Sequence, residues 1–159
     1  MYHRFNDAAR LVMRLAELFA RGRGCDVVDT EHVLLALVQL HDCVAARVLK
    51  RSRIDLESVR REVQQLPTPD RAAAEGPLPL TPAVRQALEL AYAAARVRLG
   101  HPAIGTGHLL LGLLEEAEGV AFTVLCKLGI GRLGENLSRV AEHVVREMGG
   151  GDGWGRWEG

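Results

Sequence analysis

The sequence predicts an all-α fold of eight helices arranged as two pseudo-equivalent halves. Three observations predict it: a segment that occurs twice, apolar residues at helical spacing through both copies, and a proline- and glycine-rich stretch between them. "GCDVVDTEHVLLALVQLHDC" at residues 24–43 returns as "GHPAIGTGHLLLGLLEEAEG" at residues 100–119. With His32 laid on His108, Gly24 falls on Gly100, Thr30 on Thr106, and Leu34, Leu35 and Leu37 on Leu110, Leu111 and Leu113. The match runs on, with Val44, Ala45, Val48, Leu49 and Ile54 over Val120, Ala121, Val124, Leu125 and Ile130. An internal repeat defines the building unit before any single helix is placed.

In the first repeat (1–67), Phe5, Ala8, Ala9, Val12, Leu15, Ala16 and Phe19 recur at helical spacing behind Asn6, an N-cap residue, and Gly22 to Gly24 end the run. A second helix is expected to start at Thr30, its hydroxyl capping "EHVLLALVQL". A third covers "CVAARVLK". The fourth, in "LESVRREVQQL", carries Leu56, Val59, Val63 and Leu66 on one side. The second repeat (80–148) copies the scheme from Thr81-Pro82, an N-cap followed by an N1 proline. Residues 68–79 read as a surface linker, and 149–159, "GGDGWGRWEG" with the glycine before it, as a flexible tail carrying Trp154 and Trp157. A unit of about 65 residues buries too little surface to stand alone, so the repeats are expected to pack as one globule with pseudo-twofold symmetry.

Twenty Lys and Arg balance 20 Asp and Glu, so no overall field draws the chain to nucleic acid or an anionic membrane. "RVLKRSR" at 47–53 is the one dense basic stretch and reads as the solvated end of a helix. Three cysteines without a CxxC pair make a poor disulfide framework, and Cys43 and Cys126 are read as small core residues. No apolar run approaches the roughly 20 residues of a membrane span, and "MYHRFNDAARLVMRL" lacks a signal-peptide core. A cytoplasmic protein is expected.

Motifs for autonomous chemistry are absent. The chain contains no GxxxxGK[ST], GxSxG or HExxH, and its histidines lack zinc-type spacing, so neither a catalytic residue, a metal nor another cofactor is expected. A small metal-dependent or acid/base enzyme using Glu31, His32 and Cys43 is the least favoured alternative. His32 and His108 are read as polar packing residues just inside helix starts. Thr30-Glu31-His32 is where function competes best with structure, because a helix N-terminus offers unpaired N–H groups to an anion.

Together, "RFNDAARLVMRLAELFA", "DTEHVLLALV", "LTPAVRQALELAYAAAR" and "LGHPAIGTGHLLLGLLEEAEGVAFTVL" resemble the Clp repeat domain, the N-terminal domain of ClpC/ClpA-type Hsp100 unfoldases. The resemblance covers about residues 1 to 147. It implies a non-catalytic module of protein quality control that binds protein substrates or adaptor proteins for a Clp-type AAA+ ATPase. It also implies phosphoarginine-type sites at the two TEH segments, here Thr30, Glu31 and His32, and Thr106 and His108, the helix start taking the phosphate and the Glu the guanidinium. Asp29 stands where the family has Gly, and Gly107 where it has Glu, so at most a weak phosphoarginine-type ligand is expected, at the first repeat. Tyr2, Phe5 and Leu80 match apolar positions ahead of each repeat's first helix where peptides and adaptors dock; Phe5 reads better as a lid over the helix entry. A ClpC-type chain continues into two ATPase modules where this one runs into its glycine-rich tail. That departure raises the alternative of a stand-alone regulator or anti-adaptor acting on the Clp machine in trans, with Trp154 and Trp157 as contacts.

Overall fold

The computed structural model describes residues 2–68, 75–130 and 135–149, with side chains omitted at 135–137. Among them are eight α-helices: α1 (Asp7–Gly22), α2 (Thr30–Gln39), α3 (Val44–Arg51), α4 (Leu56–Gln64), α5 (Pro82–Ala93), α6 (Thr106–Glu116), α7 (Val120–Lys127) and α8 (Glu135–Glu147). Among the described residues, no single helix is long and apolar enough to cross a membrane. The bent pair α2–α3 passes by length and composition, but α2 is buried along most of its length.

Local chemistry accounts for the helix boundaries. Asn6 Oδ1 accepts from Ala9 N at 2.9 Å to open α1, and Thr81 Oγ1 accepts from Val84 N at 3.3 Å ahead of Pro82 in α5. Asp55 and Ser58 exchange bonds at the start of α4. The expectation for α2 is corrected: its cap is Asp29, whose carboxylate accepts from Thr30 N at 2.7 Å. Thr30 faces inward, and its hydroxyl is used elsewhere. Cys43 is likewise no core residue. It caps α3, its Sγ accepting from Ala46 N at 3.4 Å, and Cys126 is half-buried while Cys25 lies inside.

The two halves interlock rather than abut. Thr30 Oγ1, at the start of α2, accepts from Ala121 N at the start of α7, 3.0 Å away. Thr106 Oγ1, at the start of α6, accepts from Ala45 N at the start of α3, 3.4 Å away. Each α7-type helix start is thus capped by the opposite repeat. The segments before the helices exchange in the same sense. Asn6 N donates to Ile104 O at 2.9 Å and Ile104 N to Arg4 O at 2.8 Å, while Thr81 N donates to Val28 O at 3.0 Å and Val28 N to Pro79 O at 2.9 Å. Across the interface α2 packs on α7, α3 on α6, α3 on α8 and α4 on α7.

Between these seams lies one continuous apolar core, from Val12 and Ala16 of α1 through Leu34, Leu37 and Leu49 to Leu110, Leu113 and Leu125. On α1 the buried stripe is Ala9, Val12, Met13, Ala16 and Ala20, rotated from the expected one, so that Leu15 and Phe19 are only half-buried. A side chain at Gly112 would collide with the Ala87 carbonyl, so glycine there allows α6 to lie directly on α5. The linker is not surface throughout: Leu78 is buried, its N–H donating to Glu17 Oε1 at 3.2 Å. Trp154 and Trp157 lie outside the described residues.

The interlock predicts that Thr30→Val, close in shape but without an acceptor, leaves a buried Ala121 N–H unsatisfied and costs about 1–3 kcal/mol. Thr106→Val, removing a longer bond, is expected to cost less. Urea unfolding followed by circular dichroism measures both.

Candidate functional site: the two helix starts

The residues singled out at the TEH segments sit at α2 and α6, and most are committed to architecture. Thr30 is 0% and His32 1% exposed. His32 Nδ1 accepts from Asp29 N at 2.9 Å, and His108 Nδ1 accepts from Gly105 N at the same distance, so each ring carries its proton on Nε2. Burial holds both imidazoles neutral, lowering their pKa to about 4; His101 adds to the effect on His108. The two sites then part company. In the second repeat, His108 Nε2 meets His101 Nδ1 at 2.9 Å. In the first, His32 Nε2 has no hydrogen-bond partner among the described residues and lies 4.0 Å from Glu31 Oε1.

Glu31 is the anomalous group. Its Oε2 is buried without a partner among the described residues, and burial, reinforced by the Asp29 carboxylate, raises its pKa to about 7. Arg23 works in the opposite direction but does not cancel this. Asp29 itself accepts from both Thr30 N and the Thr81 hydroxyl, at 2.7 and 3.0 Å. A carboxylate of the chain therefore already occupies the place at the α2 start that an incoming anion would take.

At α6 the vacancy left by Gly107 is filled by Val144 of α8 and by Met148, the residue just after that helix. A Cβ at that position would stand 2.6 Å from Met148 Sδ and 3.0 Å from Val144 Cγ1, closer than packed atoms approach. Asn6 Nδ2 similarly stands 2.9 Å from where a Gly105 Cβ would be, so the Asn6 side chain takes the room that an aspartate uses in the first repeat. A cavity of about 480 Å³ remains beside this helix start, bordered by Asn6, Arg47, His101, Gly105, Glu147 and Met148. The basic stretch at 47–53 borders it through Arg47, which pairs with Glu147 at 3.5 Å; Arg51 pairs with the same carboxylate at 2.6 Å.

The family model described as the Clp repeat (R) N-terminal domain matches residues 4–147. The chain belongs to that family. One relative of this Clp N-domain, the chloroplastic ATP-dependent Clp protease ATP-binding subunit ClpA homolog of Brassica napus, is 39% identical over 163 residues, covering 96% of this chain and 18% of its own length. The chain thus spans about a fifth of the curated relative it matches. Among solved structures, the N-domain of ClpV from Vibrio cholerae superposes with a TM-score of 0.76 at 17% identity, covering 93% of this chain and 87% of that one. A complex of a ClpV N-domain with VipB peptide matches with a TM-score of 0.71 at 20% identity, covering 91% and 89%. These likenesses establish the all-α fold of paired Clp repeats.

Of the remaining sequence-derived candidates, Tyr2 lies on the surface, 42% exposed, with its ring edge on buried Phe5 at 5.2 Å between centroids. Leu80 is half-buried, packed against the core. Sequence reasoning missed the structural duty of Asp29. Its signal was present: an acidic residue directly before a helical run is itself an N-cap pattern. Among the described residues, no group of three or more His, Cys, Asp and Glu could hold a metal ion.

The histidines and Glu31 pull stability in opposite directions with pH. A histidine whose pKa falls from 6.5 to about 4 on folding contributes stability present above 6.5 and lost as pH drops toward 4. Glu31, raised from 4.5 to about 7, contributes stability present below 4.5 and lost as pH rises through 7. Between pH 4.5 and 6.5 the two histidines outweigh Glu31. Glu31→Gln is therefore expected to steepen the stability loss on acidification through that window and to stabilise the domain above pH 7, as read from urea midpoints at each pH.

Proposed function

We propose that this Clp N-domain is a non-catalytic docking module that holds segments of protein substrates, or an adaptor, for a Clp-type AAA+ ATPase on the same or another chain. Family membership supports the reading, as does a relative named as the ATP-binding subunit of a Clp protease. A related fold is described in complex with a peptide. The observation that carries it is the division of labour among the candidate residues. Thr30, His32, Thr106 and His108 are buried in the interlock, whereas Tyr2, Leu80 and Glu31 keep surface that a protein segment can cover.

In this reading phosphoarginine is a minor ligand at best. Asp29 occupies the phosphate position at α2, Thr30 has given its hydroxyl to Ala121, and Glu31 near neutral pH is only partly charged. A compartment does not follow from the family, since the relative described above is chloroplastic.

Two experiments test the reading. A photo-crosslinking residue placed at Tyr2 or Leu80 is expected to capture proteins from lysate, while the same residue at exposed Arg60 of α4 captures few and purified chain hydrolyses no ATP. Equal capture from all three positions contradicts the proposal. Calorimetry with free phosphoarginine is expected to show weak or undetectable binding to the native chain and tighter binding to Asp29→Gly, because a like charge leaves the pocket. Unchanged binding in Asp29→Gly removes the TEH segment from the site.

A further inference from the structure

The helix that begins the first repeat also carries a row of uncovered apolar side chains. The exposed large apolar residues among those described are Tyr2, Leu11, Leu18, Tyr92 and Val97; Leu11 and Leu18 lie on α1, and Tyr2 stands just before it. Leu11 and Leu18, 43% and 64% exposed, stand two helical turns apart, about 10 Å along the axis. Tyr2 folds back over the same helix, where it borders a cavity of about 150 Å³ together with Arg10, Met13, Arg14 and Glu17.

Arg14 lies midway between the two leucines, one turn from each, and is exposed. Its charged neighbours are already engaged. Arg10 donates to Tyr2 O at 3.2 Å and faces Asp7 at 3.6 Å, while Glu17 accepts from Arg21 at 2.8 Å and from Leu78 N at 3.2 Å. Arg14 has no hydrogen-bond or ion-pair partner among the described residues. The face is therefore a single uncompensated cation set between apolar side chains.

We propose that this face docks an acidic amphipathic helix of a partner protein, with apolar side chains two turns apart on Leu11 and Leu18 and an Asp or Glu between them on Arg14. The inference rests on the docking role proposed above and specifies the chemistry of one partner. Side chains at i, i+3 or i+4, and i+7 share a helix face, so a partner helix can present the complementary pattern to Leu11, Arg14 and Leu18. A carboxylate is the matching group because the guanidinium can donate two parallel N–H bonds to it, and the flanking apolar contacts exclude water from the pair. A second copy of this chain fits poorly. Antiparallel pairing of two α1 helices about the centre of the row would set Arg14 against Arg14.

The test is a display selection of random peptides of about 14 residues, four helical turns, against the purified chain. Enriched peptides are then titrated on the native protein, Arg14→Glu and Leu18→Arg, whose folding is verified by thermal melts. The expected result is enrichment of an acidic residue flanked by apolar residues at helical spacing, with affinity at least about tenfold weaker for both variants. Arg14→Glu is further expected to regain affinity when the peptide's acidic residue is replaced by lysine. Peptides that bind the variants as well as the native protein overturn the inference while leaving the docking role intact; a selection that enriches nothing overturns both. A dimer in sedimentation that is lost in Leu18→Arg assigns the face to a second copy, and Arg14-dependent binding to anionic vesicles assigns it to a membrane surface. Either result also overturns the inference.

Discussion

Each repeat supplies the other with a threonine hydroxyl, and the rest of the structure is arranged around that exchange. A helix start exposes backbone N–H groups that have no partner within the helix, and burying one is costly. α3 and α7 begin at the seam between the repeats. Ala45 and Ala121 are buried there and find their acceptors in Thr106 and Thr30, across the pseudo-twofold relation. The hydroxyls can reach because the segments before α2 and α6 are pinned to the entries of α5 and α1 by paired backbone bonds. Neither half is complete alone, which gives a physical reason for the chain to carry the segment twice.

The same exchange shapes the candidate sites. A threonine that caps a buried helix start in the opposite repeat cannot at the same time lie open to a ligand, and a histidine that accepts from the backbone N–H three residues before it holds the turn in place. What varies between the halves is the remaining position. Glu31 keeps a carboxyl group in a setting that opposes its charge, with Asp29 beside it, whereas Gly107 has given way to Met148 and His101 has come in to partner His108. The first repeat retains a strained acidic group near the surface. The second has been closed by packing.

Much of the fold was legible in the sequence, because repeat offset, helical period and capping residues all report on local structure. Asn6, Thr81 and the glycines at the end of α1, Gly22 and Gly24, mark their boundaries as expected. Three features escaped the sequence reading, two of them for a nonlocal reason. Thr30 looks like an N-cap by position, but Asp29 stands one residue earlier and the Thr30 hydroxyl is drawn to Ala121, 91 residues away. Cys43 looks like a small apolar filler, yet its sulfur caps α3. The α1 stripe is rotated because packing against α2 favours the small Ala9, Ala16 and Ala20, which leaves Leu11 and Leu18 outside. The site residues were legible as a set, but whether each serves a ligand or the opposite repeat depends on the tertiary seam.

The docking proposed for this domain thus falls to surfaces the interlock leaves uncovered, while the interlock itself makes one cooperative body of two small repeats. Native-state hydrogen exchange at the Ala45 and Ala121 amides tests that claim most directly. If the exchanged threonines bind the halves into a single unit, both amides exchange only through global unfolding, with the same free energy and the same denaturant dependence as the core amides of α2 and α6. Exchange of either amide through a smaller opening, with the core of the other repeat still protected, would show that the repeats separate independently and would contradict the account.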